Sequence, residues 1–159
     1  MDNQKQNFIE LAEQNKALIY KFCYMYSTEK DTPEDLFQEV LINLWNGYPK
    51  FRNDCKIQTW IYRIALNTCV TFLRKSGRSI KSVPLTDDLL LITEDSETST
   101  IKELYRLINK LNALEKAIIL LYLEERSYDE IALIIGITKS NVGVRINRIK
   151  EKLHQMSQN

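Results

Sequence analysis

The sequence has little glycine, proline and cysteine, and each shortage argues against a class of protein. Four glycines and three prolines in 159 residues are too few for a loop-rich fold and favour helices. The three cysteines, Cys23, Cys55 and Cys69, are odd in number and form no C-x-x-C pair. This usage argues against a disulfide framework or a zinc site and favours a reducing compartment.

The groups that catalysis needs are also scarce. The only histidine, His154, cannot form a triad or a metal site alone, and the sequence has no glycine-rich phosphate loop. Asp87 and Asp88 could suggest a magnesium pair, but in a stretch rich in serine and threonine solvation is the simpler interpretation. We therefore expect a protein that is not an enzyme and that uses no cofactor, metal or small-molecule substrate.

Long apolar segments are missing as well. The longest purely apolar run, Ala117–Leu123, has seven residues, which is far short of a membrane span. The first residues of the sequence lack the apolar core of a signal peptide. We therefore expect a soluble, cytoplasmic protein.

Positive charge is present but almost cancelled, with a net charge of +1 that is uneven along the chain. Residues 1–76 carry a net +1, residues 77–100 a net −3 and residues 101–159 a net +3. Each phosphate that a protein neutralises adds affinity for DNA through counterion release, and few can be neutralised here. If this protein reads DNA, we expect it to do so within a larger assembly.

Apolar residues recur at helical spacing on both sides of one interruption, and no strand-like alternation appears. The pattern breaks at residues 77–100, where eight of 24 residues are serine or threonine. We predict an all-α protein with two small helical domains, residues 1–76 and 101–159, joined by a flexible acidic linker. The predicted inward stripes of the second and third helices are Phe37, Val40, Leu41, Leu44 and Trp45, and then Trp60, Ile61, Ile64, Ala65, Thr68 and Phe72.

The stretch "RSYDEIALIIGITKSNVGVRINRIKEKL", Arg126 to Leu153, predicts a helix-turn-helix. Ser127 and Glu130 have the spacing of a capping box, and Gly136 supplies the left-handed residue that ends a helix. Thr138 or Ser140 can cap the second helix. That helix has a buried stripe and an opposite polar face made of Lys139, Ser140, Asn141, Arg145, Arg148 and Lys152. An ordinary helical hairpin with a solvated basic face would show the same local pattern.

Three segments together resemble a known family. "DLFQEVLINLWNGYPKF", then "TWIYRIALNTCVTFLRK", then an acidic stretch and "YDEIALIIGITKSNVGVRINRIKEKL" are similar to the extracytoplasmic-function (ECF) sigma factors of bacterial RNA polymerase. The resemblance covers roughly Phe8 to Leu153 in the family's order. Thr71, where the family often carries an acid, and Gly143, where many relatives carry a longer side chain, are departures that put the promoter sequence in doubt.

The resemblance implies a role for each part of the first domain. Residues 1–76 would be region two, which binds core RNA polymerase and the minus-ten element of promoter DNA. The polymerase-binding residues would form one helix face: Asp35, Gln38, Glu39, Ile42 and Asn46. The minus-ten strand would be held by a polar loop and by one side of the next helix: Arg52, Asn53, Asp54, Lys56 and Gln58, then Arg63, Asn67 and Arg74.

The resemblance also implies roles for the rest of the chain. Residues 101–159 would be region four, whose helix-turn-helix reads the minus-thirty-five element. Asn141 would pair with adenine and Arg145 with guanine, while Arg148 and Lys152 would hold phosphate. The acidic linker would enter the cationic RNA channel of the polymerase, or its Leu89–Ile92 run would pack on an inhibitor. An anti-sigma factor, in this family often membrane-bound, is a further expected partner.

Two other classes remain as alternatives. The chain could be a free-standing helix-turn-helix regulator with a helical sensor domain, although its first domain has no ligand-pocket signature and its positive charge is low. It could also be a helical adaptor that binds no nucleic acid. Stoichiometric binding to core polymerase would distinguish a sigma factor from both.

Overall fold

The computed structural model describes residues 2–76 and 98–159 of the chain. Two compact units divide between Ser76 and Gly77. Within the described ranges both units are helical and contain no β-strand, which confirms the predicted all-α fold class. The acidic residues and the Leu89–Ile92 run that we assigned to the linker lie outside the described residues.

The first unit is a bundle of three helices, α1 (Asp2–Tyr26), α2 (Pro33–Gly47) and α3 (Ile57–Ser76), with a 3₁₀ turn at Tyr48–Lys50. Each helix packs against the other two. Because a fully buried leucine, isoleucine or phenylalanine contributes about 1.5–3 kcal/mol, the apolar stripes dominate the stability of the bundle. All three helices contribute to this core, which includes Ile19, Phe22, Leu36, Val40, Leu44 and Ile61.

Local signals set the start of α2 as the sequence predicts. The Thr32 hydroxyl accepts a hydrogen bond from the Asp35 amide at 3.2 Å, and Pro33 occupies the first helical position. Proline costs nothing there, because its missing N–H would have no partner within the helix. Asp35 and Glu34 place negative charge in the first turn, where the helix dipole favours it.

Two side-chain hydrogen bonds fix α3 against its neighbours. The Tyr62 hydroxyl donates to Asn15 Oδ1 of α1 at 2.9 Å, inside the core. The Asn43 amide of α2 donates to Thr68 Oγ1 at 2.9 Å, and the same hydroxyl donates to the Ile64 carbonyl. Because a buried polar group without a partner is costly, these pairs set the rotation of α3 and therefore the positions of its exposed residues.

Some of the predicted core residues are more open than expected. Trp45 is 41% exposed, and Leu36, which was not assigned to the α2 stripe, is fully buried instead. Trp45 stands near the end of the bundle, where only part of its ring is covered by Phe8 of α1, at 5.1 Å between ring centroids. On α3, Trp60, Ile64 and Phe72 are half-buried, while Tyr62, Leu66 and Cys69 are buried.

The second unit has four helices within the described residues: α4 (Thr98–Ile108), α5 (Ala113–Leu123), α6 (Tyr128–Ile135) and α7 (Lys139–Ser157). Helix α4 begins three residues before the predicted domain start at Ile101. Helix α7 packs against the other three. The buried apolar core of this unit includes Ile108, Ile118, Leu120, Ile131, Ile146 and Ile149.

The predicted helix-turn-helix, α6 and α7, is present, and its turn follows from three residues. Ser127 Oγ accepts a hydrogen bond from the Glu130 backbone amide at 3.1 Å, as in a capping box. The Glu130 carboxylate, however, accepts a hydrogen bond from the Ser127 hydroxyl, whereas in a full capping box it would accept one from the Ser127 backbone amide. Gly136 ends α6 with φ at +86°, a conformation that costs glycine little. Thr138 then caps α7 by accepting from the Asn141 amide at 3.1 Å.

Candidate functional site

One face of α2 points to solvent and carries the five residues that sequence analysis assigned to polymerase binding. We call this the α2 outer face. Within the described residues, no hydrogen bond or ion pair engages these five side chains. Ile42 is 52% exposed at its centre, so an apolar group lies open among acids and amides. The face consists of Asp35, Gln38, Glu39, Ile42 and Asn46.

Trp45 extends this face and was missed by sequence reasoning, which placed it in the core. It lies three residues after Ile42, and both side chains are more than a third exposed. Phe8 holds the Trp45 ring in a T-shaped contact and also packs on Tyr48, at 5.6 Å between ring centroids. Such support fixes a large apolar side chain at the surface, which is typical of an interface anchor.

The loop between the 3₁₀ turn and α3 holds half of the residues assigned to minus-ten recognition. Arg52, Asn53, Asp54 and Lys56 are exposed in this α2–α3 loop, and Gln58 is half-buried in the first turn of α3. Asn53 has φ at +60°, in the left-handed region that residues other than glycine seldom occupy. The loop therefore presents polar groups in a constrained backbone.

A shallow groove runs between α2 and α3, with a volume of about 460 Å³. Among the predicted residues it brings together Glu39 and Asn67, whereas Arg63 and Arg74 lie outside it. Asn67 and Arg74 are exposed, and Arg63 is half-buried. Thr71, one of the departures from the family pattern, forms part of the groove wall. The full lining is Glu39, Asn43, Ile64, Asn67, Thr68, Thr71, Phe72 and Lys75.

A second, larger cleft lies between the start of α1 and the α2–α3 loop, with a volume of about 650 Å³. We call it the α1 cleft; it shares no lining residue with the α2–α3 groove. Sequence reasoning missed Gln4 and Asn7, because helical spacing puts them on one face but does not show what lies opposite. The cleft is lined by Gln4, Asn7, Leu11, Tyr48, Pro49, Phe51, Asn53 and Ile57.

The exposed side of α7 differs in part from the predicted DNA-reading face. Ser140, Val144, Asn147 and Arg148 are the exposed residues in the first half of α7 beyond Lys139, and we call these four the α7 outer face. Val144 is 47% exposed. Ser140 and Arg148 belong to the predicted DNA-reading face, whereas Val144 and Asn147 do not. Their spacing from Ser140, of four and seven residues, was the available signal.

Most of the predicted DNA-binding residues of α7 form contacts within the unit. Asn141 and Arg145 are half-buried, and Arg145 Nε donates to Asn141 Oδ1 at 3.1 Å. Lys152 Nζ lies 3.0 Å from Glu115 Oε1 of α5. The Glu115 carboxylate also accepts from the Asn112 amide at the α5 N-terminus. Lys152 is therefore drawn toward α5, and its charge is already partnered in this structure.

The start of α7 keeps the features of a phosphate site. Lys139 and Ser140 are exposed in its first turn, where free amides and the helix dipole favour an anion. Lys139 Nζ is 3.4 Å from Asp129 Oδ2, but both side chains are largely exposed, so this pair is weak. The Cα of Gly143 faces α6, since an added Cβ would lie 3.5 Å from the Tyr128 ring.

The described residues include no group of histidine, cysteine, aspartate and glutamate side chains that could hold a metal ion. In these same ranges, no helix is long and apolar enough to cross a membrane. Cys23 and Cys69 are buried side by side in the core of the first unit. The hydrogen bond with Cys23 and burial raise the pKa of Cys69, which keeps it an unreactive thiol.

Comparison with known families agrees with this arrangement in both units. Residues 11–79 match the model of Sigma-70 region 2, and residues 101–153 match that of Sigma-70, region 4. The two matches cover most of the chain in the order that sequence analysis predicted.

Individual relatives give the same result. The chain is 28% identical over 167 residues to the ECF RNA polymerase sigma factor SigW of Bacillus subtilis, covering 93% of this chain and 87% of SigW. It is 32% identical over 83 residues to SigG of Mycobacterium tuberculosis, covering 52% of this chain but only 22% of SigG. The chain thus spans about a fifth of the length of that relative.

A solved structure shares the fold. The sigma factor RpoE from Bartonella quintana, crystallised with the anti-sigma factor NepR, superposes with a TM-score of 0.76 at 20% identity and covers 99% of this chain and 98% of RpoE. At that identity the likeness speaks for the fold alone. With the two region matches and the relatives that span nearly the whole chain, the chain belongs to the ECF sigma factors of the sigma-70 family.

Proposed function

We propose that this protein is a transcription initiation factor that binds core RNA polymerase and directs it to promoters. The observation that carries the proposal is the pairing, in one chain, of an open α2 outer face with a helix-turn-helix. Neither a regulator that acts alone nor an adaptor needs both surfaces. The protein would act in the cytoplasm, without enzymatic activity of its own and without a cofactor.

The α2 outer face suits a protein partner better than DNA. It combines the carboxylates of Asp35 and Glu39 with the exposed Ile42 and, beside it, Trp45. Carboxylates repel phosphate, whereas an apolar anchor surrounded by polar groups is the usual composition of a protein interface. We assign this face to core polymerase.

The α2–α3 loop and groove suit a single strand of the minus-ten element. The loop supplies cations for the backbone, and Asn67 supplies an amide in the groove for a base edge. Arg74, exposed near the end of α3, and Arg63 extend the basic side of the helix. Glu39 lines the same groove, so polymerase binding and strand capture adjoin each other in this proposal.

The partners include an inhibitor as well as polymerase and promoter DNA. RpoE of Bartonella quintana was solved with the anti-sigma factor NepR. A protein with exposed apolar side chains such as Ile42 and Trp45 benefits from a cover when polymerase is absent. We propose a cognate anti-sigma factor as that cover.

The proposal is tested by adding the purified chain to core RNA polymerase and to a library of promoter fragments. A sigma factor should bind the core enzyme stoichiometrically and start transcription from a defined subset of fragments. A free-standing regulator would retain DNA without polymerase and would not support initiation. An adaptor would select no DNA at all.

The α7 assignments predict two different kinds of loss. Asn141→Ala should relax base preference at one position of the minus-thirty-five element, by a factor that corresponds to about 1–3 kcal/mol. Arg148→Ala should weaken all sequences alike and flatten the salt dependence, because a phosphate contact carries no sequence information. Selection of bound promoters from a random library by holoenzyme carrying each variant measures both effects.

The α7 structure adds a control to this experiment. Asn141 accepts from Arg145, so Asn141→Ala also frees the Arg145 side chain. Val144→Ala and Asn147→Ala change the α7 outer face without touching that pair. If only these two variants alter base preference and Asn141→Ala alters none, the reading residues lie on the α7 outer face and the assignment of Asn141 is wrong.

A further inference from the structure

We propose that Lys116 makes promoter reading by α7 depend on pH. With an uncharged Lys116 amine, α5 holds α7 in its reading position, whereas a charged amine loosens that hold and weakens binding to the minus-thirty-five element. The inference rests on the proposed function, which assigns α7 to this element. It adds a regulatory role for a residue that is fully buried in the second unit.

Lys116 differs in its burial from the other charged residues of the second unit. Its side chain is 0% exposed, whereas every other charged side chain within residues 98–159 is exposed or half-buried. It begins a run of six buried residues in α5, and the other five, residues 117–121, are alanine, isoleucine and leucine. Lys116 Nζ donates to Asn109 Oδ1 at 3.1 Å, and this amide is a dipole without a negative charge. A protonated Lys116 would therefore be a charge inside an apolar core, which is costly.

Several carboxylates on the helices around Lys116 already pair with other cations. The pairs are Glu103–Arg106 within α4, Glu115–Lys152 between α5 and α7, Arg126–Glu130 at the start of α6 and Lys139–Asp129 between α7 and α6. The remaining carboxylates within residues 98–159 are half-buried or exposed, so water reaches them: Glu124, Glu125 and Glu151. The tyrosines of α4, α5 and α6 carry no charge near neutral pH, and His154 is exposed in the last turn of α7. Desolvation therefore decides the charge of Lys116, because burial lowers its pKa from 10.5 to about 7.

Helix α5 also contacts α7 through two polar side chains. Glu115, next to Lys116 in the chain, lies 3.0 Å from Lys152 Nζ. Two turns further along α5, the Tyr122 hydroxyl accepts from Lys150 Nζ at 2.7 Å, and that amine lies 4.4 Å from the centre of the Tyr122 ring. The two helices pack directly on one another as well. A displacement of α5 around Lys116 would therefore reach α7 through both contacts.

The direction of the pH effect follows from the change in the pKa of Lys116. In the packed unit this pKa is about 7, whereas a loosened unit that lets water reach the amine brings it back toward 10.5. The packed unit is therefore favoured by up to about ten-fold for each pH unit between about 7 and about 10, and it gains nothing further below about 7. Affinity for the minus-thirty-five element should rise with pH in this window. An interface made only of surface cations shows the opposite trend, because cations lose protons as the pH rises.

The test uses holoenzyme made with the full chain and two promoter fragments that differ only in the minus-thirty-five element. One fragment carries the sequence that the unmodified chain prefers, and the other carries a scrambled sequence. The ratio of the two affinities, measured at constant salt, reports the contribution of α7. For the unmodified chain this ratio should rise by roughly three- to ten-fold between about pH 7 and about pH 8.5.

Two variants fix the charge at position 116 in opposite ways. Lys116→Met carries no charge and should give, already at pH 7, the high ratio that the unmodified chain reaches only at about pH 8.5. Lys116→Arg stays charged at every pH and should keep the ratio low throughout. Lys110→Met removes an exposed lysine of the same unit and should retain the full pH response.

Each outcome decides the inference. A ratio that does not change with pH in the unmodified chain overturns it, and so does an equal pH response in Lys116→Met. A low ratio in Lys116→Met at every pH would show that the shape of the side chain matters and not its charge, which would also overturn it. If Lys116→Arg does not fold, the comparison of Lys116→Met with Lys110→Met still decides. Equal affinity of the holoenzyme for both fragments at every pH would refute the assignment of α7 to the minus-thirty-five element, whereas discrimination without a pH response refutes only the role of Lys116.

Discussion

Replacing Ile42 with arginine should lower the affinity of the chain for core RNA polymerase by roughly 30-fold or more, the loss seen when a central interface anchor is removed. Ile42 is 52% exposed, so its side chain contributes little to the core of the first unit. Within an interface, however, arginine would bring an extra charge into the site of an apolar contact. Titration of labelled core polymerase with the variant measures the loss.

A matched variant distinguishes this effect from a general loss of folding. Ile9 is 43% exposed on α1, and the same change to arginine removes an isoleucine of similar exposure from the same unit. Ile9 lies five residues after Gln4, which puts it on another side of the helix from the α1 cleft. Ile9→Arg should bind polymerase normally. Full affinity of a folded Ile42→Arg variant would show that polymerase binds elsewhere.

The ends of the helices could be predicted from sequence because the signals are local. Each signal concerns residues no more than four positions apart, and each predicted helix end is present in the structure. The residues that give these signals are Thr32 with Pro33, Ser127, Gly136 and Thr138. The two-unit, all-helical fold followed from the same kind of pattern. The Glu130 carboxylate is a small exception: it bonds the Ser127 hydroxyl, and Arg126 Nη1 lies 3.5 Å from its other oxygen.

The sites were harder to predict because they depend on what packs alongside each helix. Asn141, Arg145 and Lys152 follow one line along α7, at spacings of four and seven residues, and sequence analysis took that line to face DNA. The contact of Lys152 with Glu115 shows that the end of this line at Lys152 lies beside α5. The most exposed residues of this part of α7 belong to the α7 outer face, which includes Val144.

Tertiary contacts explain the other omissions in the same way. Trp45 follows the apolar spacing of α2, but its side chain remains 41% exposed beside Phe8 of α1. Gln4 and Asn7 line a cleft only because residues of the α2–α3 loop lie opposite the first turns of α1. The spacing of residues within one helix does not show which other segment packs against it. Asn7 and Asn53 are also too far apart in the sequence for local patterns to show that they lie close together.

The buried residue Lys116 should make the stability of the second unit depend on pH. Its side chain is fully buried in α5, and Nζ donates to Asn109 Oδ1 at 3.1 Å. Burial lowers the pKa of Lys116 from 10.5 to about 7, because desolvation penalises the charged form. Between these two pH values the unfolded chain binds more protons at this residue than the folded chain does. The free energy of unfolding should therefore rise as the pH increases from about 7 to about 10.

Lys116→Met should remove this contribution to the pH dependence and stabilise the second unit near pH 7 by roughly 1–4 kcal/mol, since methionine fills a similar volume without a charge to desolvate.

Both tryptophans, Trp45 and Trp60, are in the first unit. Urea unfolding followed by tryptophan fluorescence reports that unit, while circular dichroism reports both. Only the transition seen by circular dichroism should shift. The difference in the free energy of unfolding between the variant and the original chain should disappear as the pH approaches 10. Lys110→Met, on the surface of the same unit, should leave the pH dependence in place. If the two chains have the same free energy of unfolding at pH 7, or if their difference stays constant up to pH 10, this core contains no titrating lysine.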